Sequence, residues 1–447
     1  MPKKSLYNHF QRFSEEYYIA YNARSGAVAL MTPENYEVYE SLLDKFENGL
    51  EDLSDEERKL LKQLEYGKFV CPDDYDELAA IKFEHNIGRY NISELGLVIA
   101  PTMACNMACE YCYEQNKSGR MQPEIVESLV EFVKKRAKAL GSLSVTWYGG
   151  EPLLAMDIIE DLSSRFIEFS KEYQFHYTAS IVTNGYLLTP QTVDRLRELK
   201  VVGGQVTLDG PAEQHNTKRP LKNGKDSFST IIENLKYAMT RLGISIRVNI
   251  DKSFSAQTIQ QLLTELKQAG LHERVPINFG HLEASTEVCA NIAEACYDNT
   301  NFSAVETDYY RLLLANGFMI QKIPSPTPVC CMAQIVNSFV VDPLGDLYRC
   351  WNYVGNRERC MGNIKDEIDF QHANFRRLFK VDPFEEETCR SCNLLPICMG
   401  GCPSRRADRG LSGEQVCESW KYNLEPMLEI IAASKQQEMA RSAKEQS

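Results

Sequence analysis

Apolar residues follow three successive patterns along the chain. Between Tyr17 and Leu30, aromatic and β-branched residues surround Ser25-Gly26, which predicts a hairpin. Thr32 then caps a helical pattern opened by Pro33, with Tyr36, Tyr39, Leu42, Leu43 and Phe46 on one face. Ser54 starts a second helix, with Glu57 completing a capping box; it ends near Gly67, and Phe69-Val70 suit a short strand. From 95 to about 280 the pattern becomes strand, then helix. Apolar runs predict strands at Leu95–Ala100, Leu143–Trp147, Tyr177–Val182, Gln205–Leu208, Ile244–Ile250 and Val275–Phe279. Helical patterns begin near Pro123, Asp157, Pro190, Ser227 and Ala256. Such alternation argues for a parallel sheet with crossover helices, and about six units make a partial barrel. Residues 281–328 are less periodic and read as a helical bridge into a cysteine-rich last part, 329–447. The tail after Ile431 is helical in propensity but polar all round, and is expected to fray.

Composition narrows the class. A chain of 447 residues accommodates one to three domains. The formal charge of -13 argues against a nucleic-acid partner bound by phosphate neutralisation. Fifteen cysteines would suit disulfides in a secreted chain, yet MPKKSLYNHFQRF has no apolar signal core. No apolar run reaches the length of a membrane span. The odd count and the tight local clusters point to reduced, metal-bound cysteines in the cytoplasm.

The first cluster is Cys105, Cys109 and Cys112, spaced C-x3-C-x2-C in PTMACNMACEYCYE, just after the first strand of the alternating region. Loops leaving strand carboxyl ends are where α/β folds build their sites. Three close thiolates suit an iron–sulfur cube with one iron lacking a protein ligand, since four cysteines normally hold such cubes. A zinc knuckle would instead show paired C-x2-C units and four ligands. The spacing, with Tyr111 before the third cysteine, resembles the radical S-adenosylmethionine (SAM) superfamily. That resemblance implies a (β/α)6 barrel, a [4Fe–4S] cluster whose open iron chelates the amine and carboxylate of SAM, and formation of a 5′-deoxyadenosyl radical. Trp147-Tyr-Gly-Gly-Glu-Pro152 is similar to the family's GGEP motif, so Gly149, Gly150 and Glu151 are expected at the methionyl amine. Ser180, Asn184 and Asp209 sit at the next strand ends and match the family's contacts to SAM; Asn184-Gly185 equally suits an ordinary turn. His215, Asn216, Arg219 and Pro220 continue the resemblance in HNTKRPLKNGKDSF. The planar fork of Arg219 suits a carboxylate of SAM or substrate, or a neighbouring side chain. Arg247, on the fifth strand, belongs to the same region by family position.

A second constellation runs Cys331, Gly345, Cys350, then Cys389, Cys392, Cys398, Cys402 and finally Cys417. It resembles the SPASM extension, which implies two auxiliary [4Fe–4S] clusters. Carried over, Cys331, Cys350 and Cys402 hold the first, and Cys389, Cys392, Cys398 and Cys417 the second. Cys330, Cys360 or no residue completes the first set. Cys71, Cys289 and Cys296 read as ordinary buried thiols. The hairpin and helices ahead of the barrel are similar to the winged-helix leader-recognition element of peptide-modifying enzymes, which captures a precursor by strand addition and a helix groove. A domain that simply packs on the barrel is the alternative.

The expected organisation is α/β. A leader-recognition-like domain occupies 1–90, the barrel 91–280, a bridge 281–328 and the SPASM domain 329–447. The resemblance implies an oxidoreductase that modifies a ribosomally made precursor peptide, installing a thioether or carbon–carbon crosslink. A flavodoxin or ferredoxin would reduce it; neither nucleic acid nor membrane would be a partner. An anaerobic sulfatase maturase, forming formylglycine from Cys or Ser, is the rival. A non-catalytic peptide-binding scaffold is the third reading. No single Asp or Glu stands out as a catalytic base.

Overall fold

The computed structural model describes residues 2–50, 52–114, 119–284, 287–410 and 413–445, with backbone alone at 287, 288, 409, 413, 414 and 441–445. Contacts divide the chain into two units. One comprises Met1–Arg89, Lys322–Cys330 and Asp382–Ser447, the other Tyr90–Gln321 and Cys331–Val381.

The first unit opens with β1 (Pro2–Lys4), β2 (Asn8–Arg12), β3 (Tyr18–Asn22) and β4 (Ala27–Met31). Strands β2, β3 and β4 form an antiparallel sheet in that order, with the anticipated hairpin turn passing through Gly26 at φ +73°. Helices α1 (Pro33–Glu47) and α2 (Asp55–Tyr66) follow, then β5 (Val70–Pro72), which pairs with β1, and α3 (Glu77–Tyr90). Both caps form as read: Thr32 accepts from Asn35 N at 3.3 Å, and Ser54 and Glu57 exchange bonds of 3.2 and 2.8 Å. Tyr39, Leu42 and Phe46 pack on Leu60, Leu64 and Phe69.

The second unit alternates β6 (Glu94–Thr102), α4 (Pro123–Arg136), β7 (Ser142–Gly149), α5 (Met156–Tyr173), β8 (His176–Thr183), α6 (Pro190–Glu198) and β9 (Val201–Thr207). It continues with α7 (Ala212–Lys218), α8 (Phe228–Ala238), β10 (Gly243–Ile250), α9 (Ala256–Gln268), β11 (Ile277–His281) and, in the bridge, α10 (Asn299–Ala315). The six strands β6 to β11 are parallel and neighbour one another in chain order. The run Leu97–Ala100 is buried throughout, as a strand covered on both faces requires. Then β12 (Ser338–Val341) adds parallel to β6, β13 (Leu347–Tyr348) returns antiparallel, and α11 (Ala373–Phe379) closes the unit.

The sheet therefore reaches eight strands. The last two are too short to show a period in sequence. Strand β9 begins earlier than its apolar run because Gly203-Gly204, which contribute no apolar side chain, lie inside it. A Cβ on Gly203 would sit 2.4 Å from Gly243 O, and one on Gly204 2.3 Å from Ile181 O.

The chain's last part returns to the first unit as α12 (Glu387–Arg390), α13 (Leu395–Cys398), α14 (Pro403–Arg409) and α15 (Trp420–Glu445). Tyr7, Ile19, Tyr21 and Ile81 share one core with Leu394, Leu395, Ile397, Leu424 and Leu428. The cysteine-rich stretch thus divides at residues 381 and 382, and the N-terminal segment shares its core with the second half of it. Sequence periodicity carries no mark of that long-range packing. Among the described residues no helix is long and apolar enough to cross a membrane.

Substituting Gly204→Ala forces a methyl group into the Ile181 carbonyl, so β8 and β9 must part. Urea unfolding followed by tryptophan fluorescence should show a loss of about 1–3 kcal/mol; an unchanged midpoint would show that the strands relax freely.

Candidate active site and cysteine sites

The loop carrying Cys105, Cys109 and Cys112 leaves the carboxyl end of β6. Thr102 anchors it, donating to Gly119 O at 2.8 Å and accepting from Ala104 N at 3.1 Å. Gly150 N donates to Thr102 O (3.1 Å) and Glu151 N to Ala104 O (2.9 Å), so the turn after β7 docks directly on the loop. A Cβ on Gly149 would lie 2.4 Å from Thr102 O, and one on Gly150 equally close to the carbonyls of Met103 and Ala104. The glycine pair is therefore required for backbone-to-backbone contact. On the far side, Ala108 N donates to Pro220 O (2.9 Å) and Lys222 N to Asn106 O (2.9 Å). Burial pushes the Cys105 thiol up to about 11, against a bond from Met107 N. A thiolate ligand at that position needs a positive metal centre to offset the cost.

Glu151 is fully buried and accepts from Thr183 Oγ1 (2.8 Å), Asn184 N (2.8 Å) and Leu153 N (3.1 Å). Desolvation raises its pKa, and those bonds oppose the rise. Asn184 Nδ2 donates to Asn106 Oδ1 at 2.7 Å and lies 3.8 Å from Cys105 Sγ. Glu151, Asn184 and the first cysteine are thus brought together. Ser180, on β8, pairs with Thr146 of β7 at 3.0 Å.

Asp209, also fully buried, accepts from Asn249 N at 2.8 Å, from the Tyr111 hydroxyl, and from Arg219 Nη1 at 3.4 Å. Arg219 Nη1 also donates to the Tyr111 hydroxyl, and Asn249 Nδ2 reaches it at 3.3 Å. Arg247 joins through Asn249, its Nε donating at 2.8 Å, and its guanidinium lies where a Cβ on Gly280 would fall. The carboxylate of Asp209 is consequently committed to protein donors. The Tyr111 hydroxyl is the hub that sequence reasoning missed; an aromatic before the third cysteine was visible, but its polar partners lie far along the chain. His215 is buried and neutral, its Nδ1 accepting from Asp209 N (3.1 Å) and its Nε2 facing Ser227 Oγ (3.2 Å); burial lowers its pKa to about 3.

Among the described residues, the buried Arg219 Nε and Asn106 Nδ2 find no hydrogen-bond partner. Beside three cysteines, an unsatisfied guanidinium N–H fits an anionic ligand such as the SAM carboxylate.

The later cysteines divide between the units. In the second unit, Cys331 precedes β12 and Cys350 follows β13, with Gly345 (φ +82°) in the turn between them. Arg349, fully buried beside Cys350, donates to the carbonyls of Ala333 (2.9 Å), Ile335 (2.5 Å) and Ser338 (2.5 Å), fixing the chain after Cys331 against β13. Cys402 belongs to the first unit. There the Cys330 thiol donates to Gly401 O at 3.1 Å, next to Cys402. Cys389, Cys392, Cys398 and Cys417 line one cavity of about 210 Å³ in the first unit, together with Arg406 and Lys421. Among the described residues no three His, Cys, Asp or Glu side chains converge tightly enough for a single metal ion. Ligands of a four-iron cube are spread round the cube and stand farther apart than those of one ion. No disulfide joins the cysteines; Cys71 and Cys289 are buried thiols and Cys296 is half-buried.

Residues 99–266 match the family model described as the radical SAM superfamily. A cysteine-type anaerobic sulfatase-maturating enzyme of Clostridium perfringens (strain 13 / Type A) is 26% identical over 366 residues, spanning 73% of this chain and 94% of that protein. The radical SAM cyclopropyl synthase TigE of Paramaledivibacter caminithermalis is 22% identical, over 75% of this chain and 74% of its own length. Among solved structures, native anSMEcpe with bound AdoMet and a peptide superposes with a TM-score of 0.59 at 23% identity, covering 77% of this chain and 99% of that one. The fold, a parallel α/β sheet whose first loop carries three cysteines, is that of the radical SAM class. These matches indicate an enzyme of the radical SAM type, a superfamily that uses a [4Fe–4S] cluster with SAM.

His215 gives the site a pH signature. Its folded pKa of about 3 lies below the unfolded value, so the stability it contributes is present above pH ~6.5 and lost as pH falls towards 3. Relative to the parent, His215→Asn should flatten the slope of stability between pH 7.5 and 5.5 by up to about 1.4 kcal/mol per pH unit, read from urea midpoints. Parallel slopes would mean that His215 titrates in the folded protein as it does in the unfolded chain.

Proposed function

We propose that this enzyme crosslinks a ribosomally made precursor peptide, forming a thioether or carbon–carbon bond. The observation that carries the reading is the N-terminal arrangement, a three-stranded antiparallel sheet followed by three helices, with β4 at the sheet's edge. An edge strand offers unpaired N–H and C=O groups to an extended peptide, the mode of strand addition. The sulfatase-maturating relative is matched over nearly its whole length by 73% of this chain, so about a quarter of the chain lies outside that match. A segment devoted to capturing a leader fits such an addition.

In this reading Cys105, Cys109 and Cys112 hold the SAM cluster, and Gly149, Gly150, Glu151, Ser180, Asn184, Asp209 and Arg219 surround SAM. Cys331 and Cys350 belong to one auxiliary set; Cys389, Cys392, Cys398 and Cys417 hold the other cluster. Bound there, these groups supply one-electron chemistry: reductive cleavage of SAM to a 5′-deoxyadenosyl radical, and an outlet for the electron released as the new bond forms. The chain's own contribution is positional. Arg219, steadied by Tyr111 and Asp209, presents its unpartnered Nε to a carboxylate. Glu151 fixes the strand ends so that the glycine turn keeps its register on the cysteine loop. The cysteine usage suits a reducing cytoplasm with a flavodoxin or ferredoxin as electron donor, and the charge of -13 disfavours nucleic acid.

The second reading, formylglycine formation on a sulfatase, is favoured by the sulfatase-maturating relative itself. A point variant separates the two better than a truncation, because removing residues 1–89 would strip Ile19 and Tyr21 from the core shared with Leu424 and Leu428. Leu30 on β4 is 40% exposed. Leu30→Glu should weaken precursor-peptide binding about tenfold or more, ~1.4 kcal/mol, while SAM cleavage without peptide stays at the parent rate. Unchanged peptide affinity, together with formylglycine appearing in a sulfatase peptide, would reverse the choice.

A further inference from the structure

The first unit's cavity lined by Cys389, Cys392, Cys398 and Cys417 contains a cation held in place independently of any metal. Arg406, on α14, has a side chain only 7% exposed. Its Nε donates to Gly400 O at 2.8 Å, in the turn between Cys398 and Cys402 where Gly400 and Gly401 both take positive φ. That bond aims the guanidinium across the cavity, and Nη2 donates to Cys389 Sγ at 3.3 Å. The Glu386 carboxylate stands 3.7 Å from Nη1, too far for a hydrogen bond, and Lys421 adds a second cation to the lining. The arginine beside the other cysteine set behaves differently. Arg349 spends its N–H groups on backbone carbonyls.

Every electron placed on an all-cysteine cluster deepens a net negative charge. An N–H donated to a ligand sulfur and a fixed cation nearby both favour the reduced form, and hydrogen bonds to sulfur are among the main settings of cluster potential. We propose that Arg406 is a positioning residue that raises the reduction potential of the cluster held by Cys389, Cys392, Cys398 and Cys417, and so makes that site the readier electron acceptor of the auxiliary pair. The proposal rests on reading the cavity as a cluster site.

The test is a redox titration of the full-length, anaerobically reconstituted protein, followed by electron paramagnetic resonance with iron analysis alongside. The wave lost in Cys417→Ala identifies the cluster. Arg406→Met removes donor and charge, Arg406→Gln keeps a donor, and Arg406→Lys keeps the charge. The expected result is a shift of that wave to lower potential, largest for Met, with iron content unchanged in at least the Gln and Lys variants. A wave that stays in place in iron-replete Arg406→Met overturns the tuning role. Loss of one cluster's iron from all three variants also overturns it, making Arg406 a brace for the turn. If Cys417→Ala changes neither iron nor any wave, the cavity is not a cluster site and the underlying reading falls instead.

Discussion

A carboxylate removed from water is costly unless its lone pairs are filled, and in this protein that cost holds the site together. Glu151 is fully buried at the end of β7, and its oxygens are filled by Thr183 and Asn184 at the end of β8 and by Leu153 in the following turn. Neighbouring strand ends are thereby locked in register. The same turn delivers Gly149 and Gly150 to the carbonyls of residues 102 to 104, where no side chain fits. The cysteine loop is thus seated on backbone atoms whose positions follow from one ionisable group. A second buried carboxylate, Asp209, does the equivalent work two strands further on, gathering Tyr111, Arg219 and the backbone of Asn249.

These two carboxylates differ in what they leave over. Glu151 is satisfied by neutral donors, and desolvation dominates its titration. Asp209 sits against Arg219; burial alone would lower the pKa of that guanidinium, but Tyr111, Cys109 and Asp209 together hold it above its ordinary range. A cation kept charged in a dry site, with one N–H still unpartnered, is a pre-set receptor for an anion. The sheet's parallel topology places both arrangements at the same end of the strands, which is why one loop system can serve cluster and cosubstrate together.

Much of this was legible in the chain. Period and caps gave the six parallel strands, because buried parallel strands read as apolar runs and Thr32 and Ser54 satisfy helix ends locally. The spacing of Cys389, Cys392, Cys398 and Cys417 matched a set that does line one cavity. What escaped was non-local or polar. Gly203-Gly204 lie inside β9, where neighbouring strands approach closely, and Tyr111 read as an aromatic although its hydroxyl gathers Asp209, Arg219 and Asn249. The core shared by Tyr7, Ile19 and Tyr21 with Leu424 and Leu428 brings together the two ends of the chain, and no local pattern announces such a pairing.

If Cys105, Cys109 and Cys112 hold the cluster as proposed, one iron would be left for the amine and carboxylate of SAM. Electron–nuclear double resonance on the reduced protein with SAM isotope-labelled at those two groups measures this directly. Strong hyperfine coupling of both labels to the cluster bearing Cys105, Cys109 and Cys112 is the predicted result. Labels that stay silent while SAM is demonstrably bound would contradict it.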